Sequence, residues 1–140
     1  MFDVLKGAGV TCVLSMLPRD EADLLGMAEE ADMCAARGLV FLNHPICDFG
    51  LPEIEVFAPL IQDLRTRLRK GHGIAVHCRA GIGRSGMAVS SLLIALGVDA
   101  SDAKVTVSKA RGVSIPDTVE QATFIDNFEQ SVKSDNSISI

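Results

Sequence analysis

The sequence predicts an α/β fold, a mostly parallel central sheet flanked by helices. Three observations carry the prediction. Short apolar runs occur at 10–17, 39–42 and 74–77; stretches with helical spacing of apolar residues separate and follow them; and Gly38, Gly71 and Gly73 stand at the joints between the two kinds of segment. Strands alternating with helices form parallel sheets whose faces the crossover helices cover. Such sheets bind ligands beyond the carboxyl ends of their strands.

In chain order, an initial helix is expected at 2–8 and a strand at 10–17. Residues 20–37 read as one helix, stopped by Gly38 just past the last turn. The strand 39–42 leads through a loop to a helix at 53–70, behind Pro52. Its last turns carry Arg65, Arg67, Arg69 and Lys70, cations that the carboxyl end of a helix favours. After strand 74–77 and a glycine-rich loop come helices at 87–96, at 102–111 behind a Ser101 cap, and at 118–131. No internal repeat is visible. Residues 1–131 read as a single domain and the polar stretch 132–140 as a flexible tail.

Composition bounds the partners. Of the 140 residues, 48% are hydrophobic, enough for one compact domain with its own core. A net charge of −5 argues against nucleic acid and means that an anionic substrate must be drawn by local charge. Cys12, Cys34, Cys47 and Cys78 show neither a CxxC nor a metal-ligand spacing, so no metal site is expected. The first six residues lack the basic start, apolar core and cleavage site of a signal peptide. Residues 87–96 are apolar but far short of a membrane span.

The chemistry concentrates in His77-Cys78-Arg79-Ala80-Gly81-Ile82-Gly83-Arg84-Ser85-Gly86, between an apolar strand and an apolar helix. A strand–loop–helix unit aims loop N–H groups and the positive end of the helix dipole at one point, a setting that favours phosphate. A thiol held there is stabilised as thiolate, because helix N-termini and nearby cations lower a cysteine pKa from ~8.5 to roughly 3.5–7.5. Gly81, Gly83 and Gly86 let the backbone approach a ligand closely. Arg84 can close the cradle with two parallel N–H···O bonds, which a lysine cannot supply. Cys78 is therefore a candidate nucleophile inside a phosphate cradle.

The pattern His77-Cys78-x5-Arg84-Ser85-Gly86, in its strand–helix context, resembles the signature loop of the cysteine-dependent protein tyrosine and dual-specificity phosphatases. The resemblance covers roughly residues 3–130. It looks closest to compact bacterial dual-specificity-like phosphatases and to the cyclin-dependent-kinase-associated branch, with His44-Pro45-Ile46-Cys47-Asp48-Phe49-Gly50-Leu51-Pro52 carrying much of that closeness. It implies a phosphoric monoester hydrolase working through a cysteinyl-phosphate. Cys78 would attack phosphorus while Arg79, Ala80, Gly81, Ile82, Gly83 and Arg84 hold the equatorial oxygens. Ser85 would donate to the sulfur as it departs, a role compatible with a helix N-cap. His77 would brace the loop through backbone hydrogen bonds. The resemblance implies no metal or organic cofactor.

Phosphoryl transfer to a thiolate also needs an acid on a facing loop to protonate the leaving oxygen. Asp48-Phe49-Gly50-Leu51-Pro52 lies between a strand end and the long helix, and its pattern resembles the family's mobile acid loop. Read alone, Asp48 is equally a turn residue capping that helix. Many relatives place a Gln before the last helix to position the hydrolytic water. Here Asp117 takes that place with Gln121 one turn later, so Asp117 serves either the water or the helix cap. The remaining strand end carries Pro18-Arg19-Asp20-Glu21, so all three ends bear polar or reactive residues.

The chain has no Tyr or Trp, and Phe49 is the sole aromatic of the motif regions. A shallow cleft is expected, open to phosphoserine and phosphothreonine as well as phosphotyrosine in proteins. A phosphoinositide or small phosphomonoester is the alternative, with Arg79 either binding a second anionic group or standing as a solvated charge. An inactive phosphate-binding module would have no use for Cys78, Ser85 and Asp48 together. A sulfur transferase would have no need of Asp48. A thiol that must stay reduced implies a cytoplasmic setting. Cys47 or Cys34 could protect Cys78 as a disulfide, or serve as small apolar side chains. The oligomeric state is not legible.

Overall fold

A computed structural model describes residues 7–79, 83–116 and 118–138, with side chains described to Ser134. Three parallel strands, β1 (Val10–Ser15), β2 (Val40–Asn43) and β3 (Gly73–His77), form a sheet in the order β2-β1-β3. The register sets Ser15 opposite Asn43 on one side and His77 on the other, so the three carboxyl ends finish level. Loop bonds extend both ladders. The His44 N–H reaches the Ser15 carbonyl (2.9 Å), the Ile46 N–H the Met16 carbonyl (3.1 Å) and the Met16 N–H the His77 carbonyl (3.0 Å). The loops after the strands are thereby held together at the edge where parallel sheets bind ligands.

Helices α1 (Arg19–Leu24) and α2 (Glu30–Ala36) follow β1, and α3 (Ile54–Arg69) joins β2 to β3. Helices α4 (Gly83–Ala95), α5 (Ala100–Arg111) and α6 (Val119–Ile138) complete the chain. The single helix expected at 20–37 is two, because the chain turns at Gly26, whose φ of +71° is open to glycine and costly for other residues. Helix α5 starts at Ala100 rather than behind Ser101. Its first N–H is met by the Glu129 carboxylate of α6 at 2.6 Å, a tertiary cap that no local pattern encodes.

Helix α6 runs on through 132–138, where polarity predicted an irregular tail. Val132 packs against the core and Lys133 pairs with Glu129 one turn back at 3.6 Å, which carries the helix past the last large apolar residues. The expected helix 2–8 falls mostly on 1–6, outside the described residues.

The core lies between the sheet and the long helices. Helix α4 is buried along nearly its whole length against α3, α5, α6 and β3. A Cβ on Gly86 would stand 2.4 Å from Ile115 Cγ2, so that close approach requires glycine. Phe57 of α3 meets Phe124 and Phe128 of α6 edge-to-face, with ring centroids 5.6 and 6.1 Å apart. This cluster fixes the start of α6 against the start of α3.

Candidate active site

Cys78 follows β3 directly and is buried. Helix α4 begins at Gly83, earlier than the expected 87, which puts Arg84 and Ser85 in its first turn. Ser85 is thus inside the helix rather than at an N-cap, and its Oγ donates to Cys78 Sγ at 3.1 Å. Gly83 is buried and Arg79 exposed, while Ala80, Gly81 and Ile82 lie outside the described residues.

Arg84 is 2% exposed and richly bonded. Its Nη1 donates to Glu21 Oε1 (2.9 Å) and its Nη2 to Glu21 Oε2 (2.7 Å), a bidentate pair, and Nη1 also donates to the Ile46 carbonyl (2.7 Å). Asp48 Oδ1 lies 3.4 Å from Nη2. A guanidinium carries five N–H donors in a rigid plane. The bonds to Glu21 and Ile46 use both of Nη1 and one of Nη2, which orients the edge made by Nε and Nη2 as the second fork. The same bonds hold the Glu21 carboxyl below the usual carboxylate range, against the opposing effect of burial. They push Arg84 further up, with the charges of Cys78 and Asp48 adding to the effect.

Asp48 sits on the loop from β2 to α3, and its Oδ1 accepts the Phe49 N–H at 3.1 Å. It does not cap α3, whose N-cap residue is Glu53. Phe49 has φ +61°, uncommon outside glycine, and a largely exposed ring. Gly50 closes the turn with an N–H bond to the Cys47 carbonyl at 2.7 Å. Behind the loop, fully buried Gln121 donates from Nε2 to the Gly50 carbonyl at 3.3 Å. Its Oε1 is buried and has no hydrogen-bond partner among the described residues. The Gln121 N–H bonds Thr118 Oγ1 at 3.0 Å, so Thr118 caps α6; Asp117 lies outside the described residues.

The His77 ring was expected to brace the loop through the backbone. Its side-chain partner among the described residues is a carboxylate: Nε2 meets Oε2 of buried Glu30, the first residue of α2, at 2.5 Å. Sequence reasoning missed the parts played by Glu21 and Glu30. Glu21 had a signal, since it stands at the strand end beside Arg19 and Asp20; Glu30 is one of several acids on its segment and had none. All four cysteines are free, Cys47 is exposed, and burial pushes the Cys12 and Cys34 thiols up.

Of the expected site residues, Cys78, Ser85, Arg84 and Asp48 thus converge at the strand ends, with Gln121 behind the Asp48 loop. Comparison with known proteins bears on the family and the fold. The family described as Tc-R-P, polymorphic toxin system, DSP-PTPase phosphatase, matches residues 1–98. Cyclin-dependent kinase inhibitor 3 of Rattus norvegicus is 26% identical over 130 residues, covering 91% of this chain and 61% of its own. The chain therefore spans about three-fifths of the length of the curated relatives it matches. A crystal structure of kinase-associated phosphatase with its catalytic-site cysteine replaced by serine has a TM-score of 0.86 at 23% identity, covering 94% of this chain and 75% of that one. Tk-PTP in its active form gives 0.78 at 25% identity, covering 89% and 82%. The cysteine loop, the fold and the matched span agree: the chain belongs to the Tc-R-P family of DSP-PTPase phosphatases, within the dual-specificity phosphatase superfamily.

Proposed function

We propose that this protein is a cysteine-dependent phosphatase that hydrolyses phosphomonoesters, with phosphotyrosine and phosphoserine or phosphothreonine of proteins as substrates. The observation that carries the reading is the convergence on one sheet edge of a buried thiol, a hydroxyl donating to it at 3.1 Å, a buried guanidinium, and a carboxyl 3.4 Å from that guanidinium. In the first step the Cys78 thiolate attacks phosphorus in line. An S–P bond forms, the P–O bond to the leaving group breaks, and Asp48 transfers its proton to the departing oxygen. The Nε–Nη2 edge of Arg84 holds two of the phosphoryl oxygens as charge moves onto them.

In the second step the Asp48 carboxylate takes a proton from water as the water oxygen bonds phosphorus. The S–P bond breaks, phosphate leaves, and Ser85 Oγ stabilises the returning thiolate. The exposed Phe49 ring offers the phosphorylated residue an apolar contact without a deep pocket wall, in keeping with dual specificity. No helix among the described residues is long and apolar enough to cross a membrane. The need for a reduced Cys78 supports a cytoplasmic setting.

The test is hydrolysis of p-nitrophenyl phosphate under reducing conditions by wild type, Cys78→Ser and Asp48→Ala. Activity abolished in the first variant and strongly reduced in the second is the expected result. A folded, reduced wild type without turnover would sink the phosphatase reading. Phosphopeptides and phosphoinositides offered side by side then assign the substrate.

A further inference from the structure

Gln121 is fully buried, yet among the described residues only half of its amide finds a partner: Nε2 donates to the Gly50 carbonyl at 3.3 Å and Oε1 meets no donor there. A buried amide with an unmet acceptor is costly, and an apolar side chain of the same size would fill the place without that cost. The bond it does make is aimed at the acid loop. Gly50 lies two residues after Asp48 and closes the Cys47–Gly50 turn through a 2.7 Å bond; a Cβ there would stand 2.7 Å from the Cys47 carbonyl oxygen. So tight a turn moves as a unit, and a hold on Gly50 is a hold on Asp48.

The other end of the tie is rigid. Gln121 sits in the first turn of α6, one turn before Phe124, which packs on Phe57 of α3, and α6 packs on α4, the helix that carries Arg84 and Ser85. We propose that Gln121 is a positioning residue for the general acid, latching the Asp48 loop to the last helix at the placement that sets Asp48 beside Arg84. This rests on the phosphatase reading above. Gln121 takes no part in bond making; it fixes where the proton of Asp48 is offered.

The experiment compares kcat/KM for a substrate whose leaving group needs protonation, phenyl phosphate, with one whose leaving group does not, difluoromethylumbelliferyl phosphate. This constant reports only the steps through formation of the cysteinyl-phosphate, so attack of water does not enter it. Gln121→Met, of similar size and without the donor, is expected to lose about tenfold more on phenyl phosphate than on the activated ester, part of the full general-acid effect of roughly 10²–10⁴. Asp48→Asn provides the reference for complete loss. Tungstate affinity, which reads the cradle of Cys78 and Arg84, should stay as in wild type. Gln121→Asn, which keeps the amide and withdraws it by one methylene, gives the same reading if the methionine variant folds poorly. An equal fall on both esters, or none on either, overturns the latch. Turnover of neither ester by folded wild type overturns the phosphatase reading itself, and the latch with it.

Discussion

Replacing Glu21 by Gln separates two readings of the contact at Arg84 that make opposite predictions. The Arg84 side chain is 1% exposed and that of Glu21 14%, so the pair is mostly shielded from water. Gln keeps one acceptor, but its NH₂ then faces an Arg84 N–H, donor against donor. A hydrogen bond to a charged group is worth ~1.5–3 kcal/mol. Removing one partner of a fully buried ion pair costs ~3–5 kcal/mol. The partial exposure of Glu21 places the cost near the lower figure, about 2–3 kcal/mol, which for a domain of this size lowers Tm by about 10 °C.

The effect on oxyanion binding is the sharper test. By charge alone, loss of a carboxylate 2.7 Å from Nη2 leaves the site more positive and should tighten tungstate binding. If Glu21 instead orients the guanidinium, its loss lets Arg84 swing away from the Nε–Nη2 presentation and binding weakens. We expect weakening of about tenfold, which corresponds to about 1.4 kcal/mol, measured by calorimetry or by competitive inhibition. Tighter binding in the Gln variant would refute the orienting role and make Glu21 a competitor for Arg84. Acid titration adds a second readout. The folded-state pKa of Glu21 lies below its ordinary value of 4.5, so the stability it contributes is complete above that value and is lost as pH falls through the lower folded one. The Tm of Glu21→Gln should lack this acid-side component, and an unchanged acid dependence would count against the pairing.

Two further predictions concern the scaffold. Gly86→Ala forces a Cβ to within 2.4 Å of Ile115 Cγ2, a methyl on a branched Cβ with little freedom, and should cost about 1–3 kcal/mol in a chemical melt; a midpoint unchanged from wild type would show that the 115 loop yields freely. Iodoacetamide applied to the native protein near pH 8 should modify exposed Cys47 and spare Cys12 and Cys34, whose thiols burial pushes up. Peptide mapping that finds either buried cysteine labelled while the fold stays intact would contradict this.

What could be read in the chain follows the distance over which the information is spread. Cys78, Arg84 and Ser85 lie within one short stretch, and a strand–loop–helix unit places its own groups, so ten residues sufficed to mark a candidate phosphate cradle. The three strands were legible because apolar β-branched runs next to glycine leave few alternatives, and the level carboxyl ends follow from parallel pairing. Asp48 was legible as a candidate acid but not distinguishable from a helix cap until its carboxylate was seen 3.4 Å from Arg84. Helix boundaries failed where backbone conformation or a distant side chain decided them. The positive φ of Gly26 split one expected helix, Glu129 capped α5 two residues early, and packing of Val132 extended α6.

The contacts that tune the site lay beyond local pattern altogether. His77 and Glu30 are 47 residues apart, Arg84 and Glu21 63, and Gln121 and Gly50 71. The sequence by itself determined the α/β class and marked Cys78 as candidate nucleophile and Arg84 as its partner, because short-range sterics and hydrophobic periodicity act on neighbouring residues. Only the tertiary structure decided which carboxylates pair with the arginine and the histidine and which side chain bonds the Asp48 loop. Those pairings depend on how helices pack across the sheet edge, and many acids and amides along the chain would satisfy the same chemistry until packing selects one.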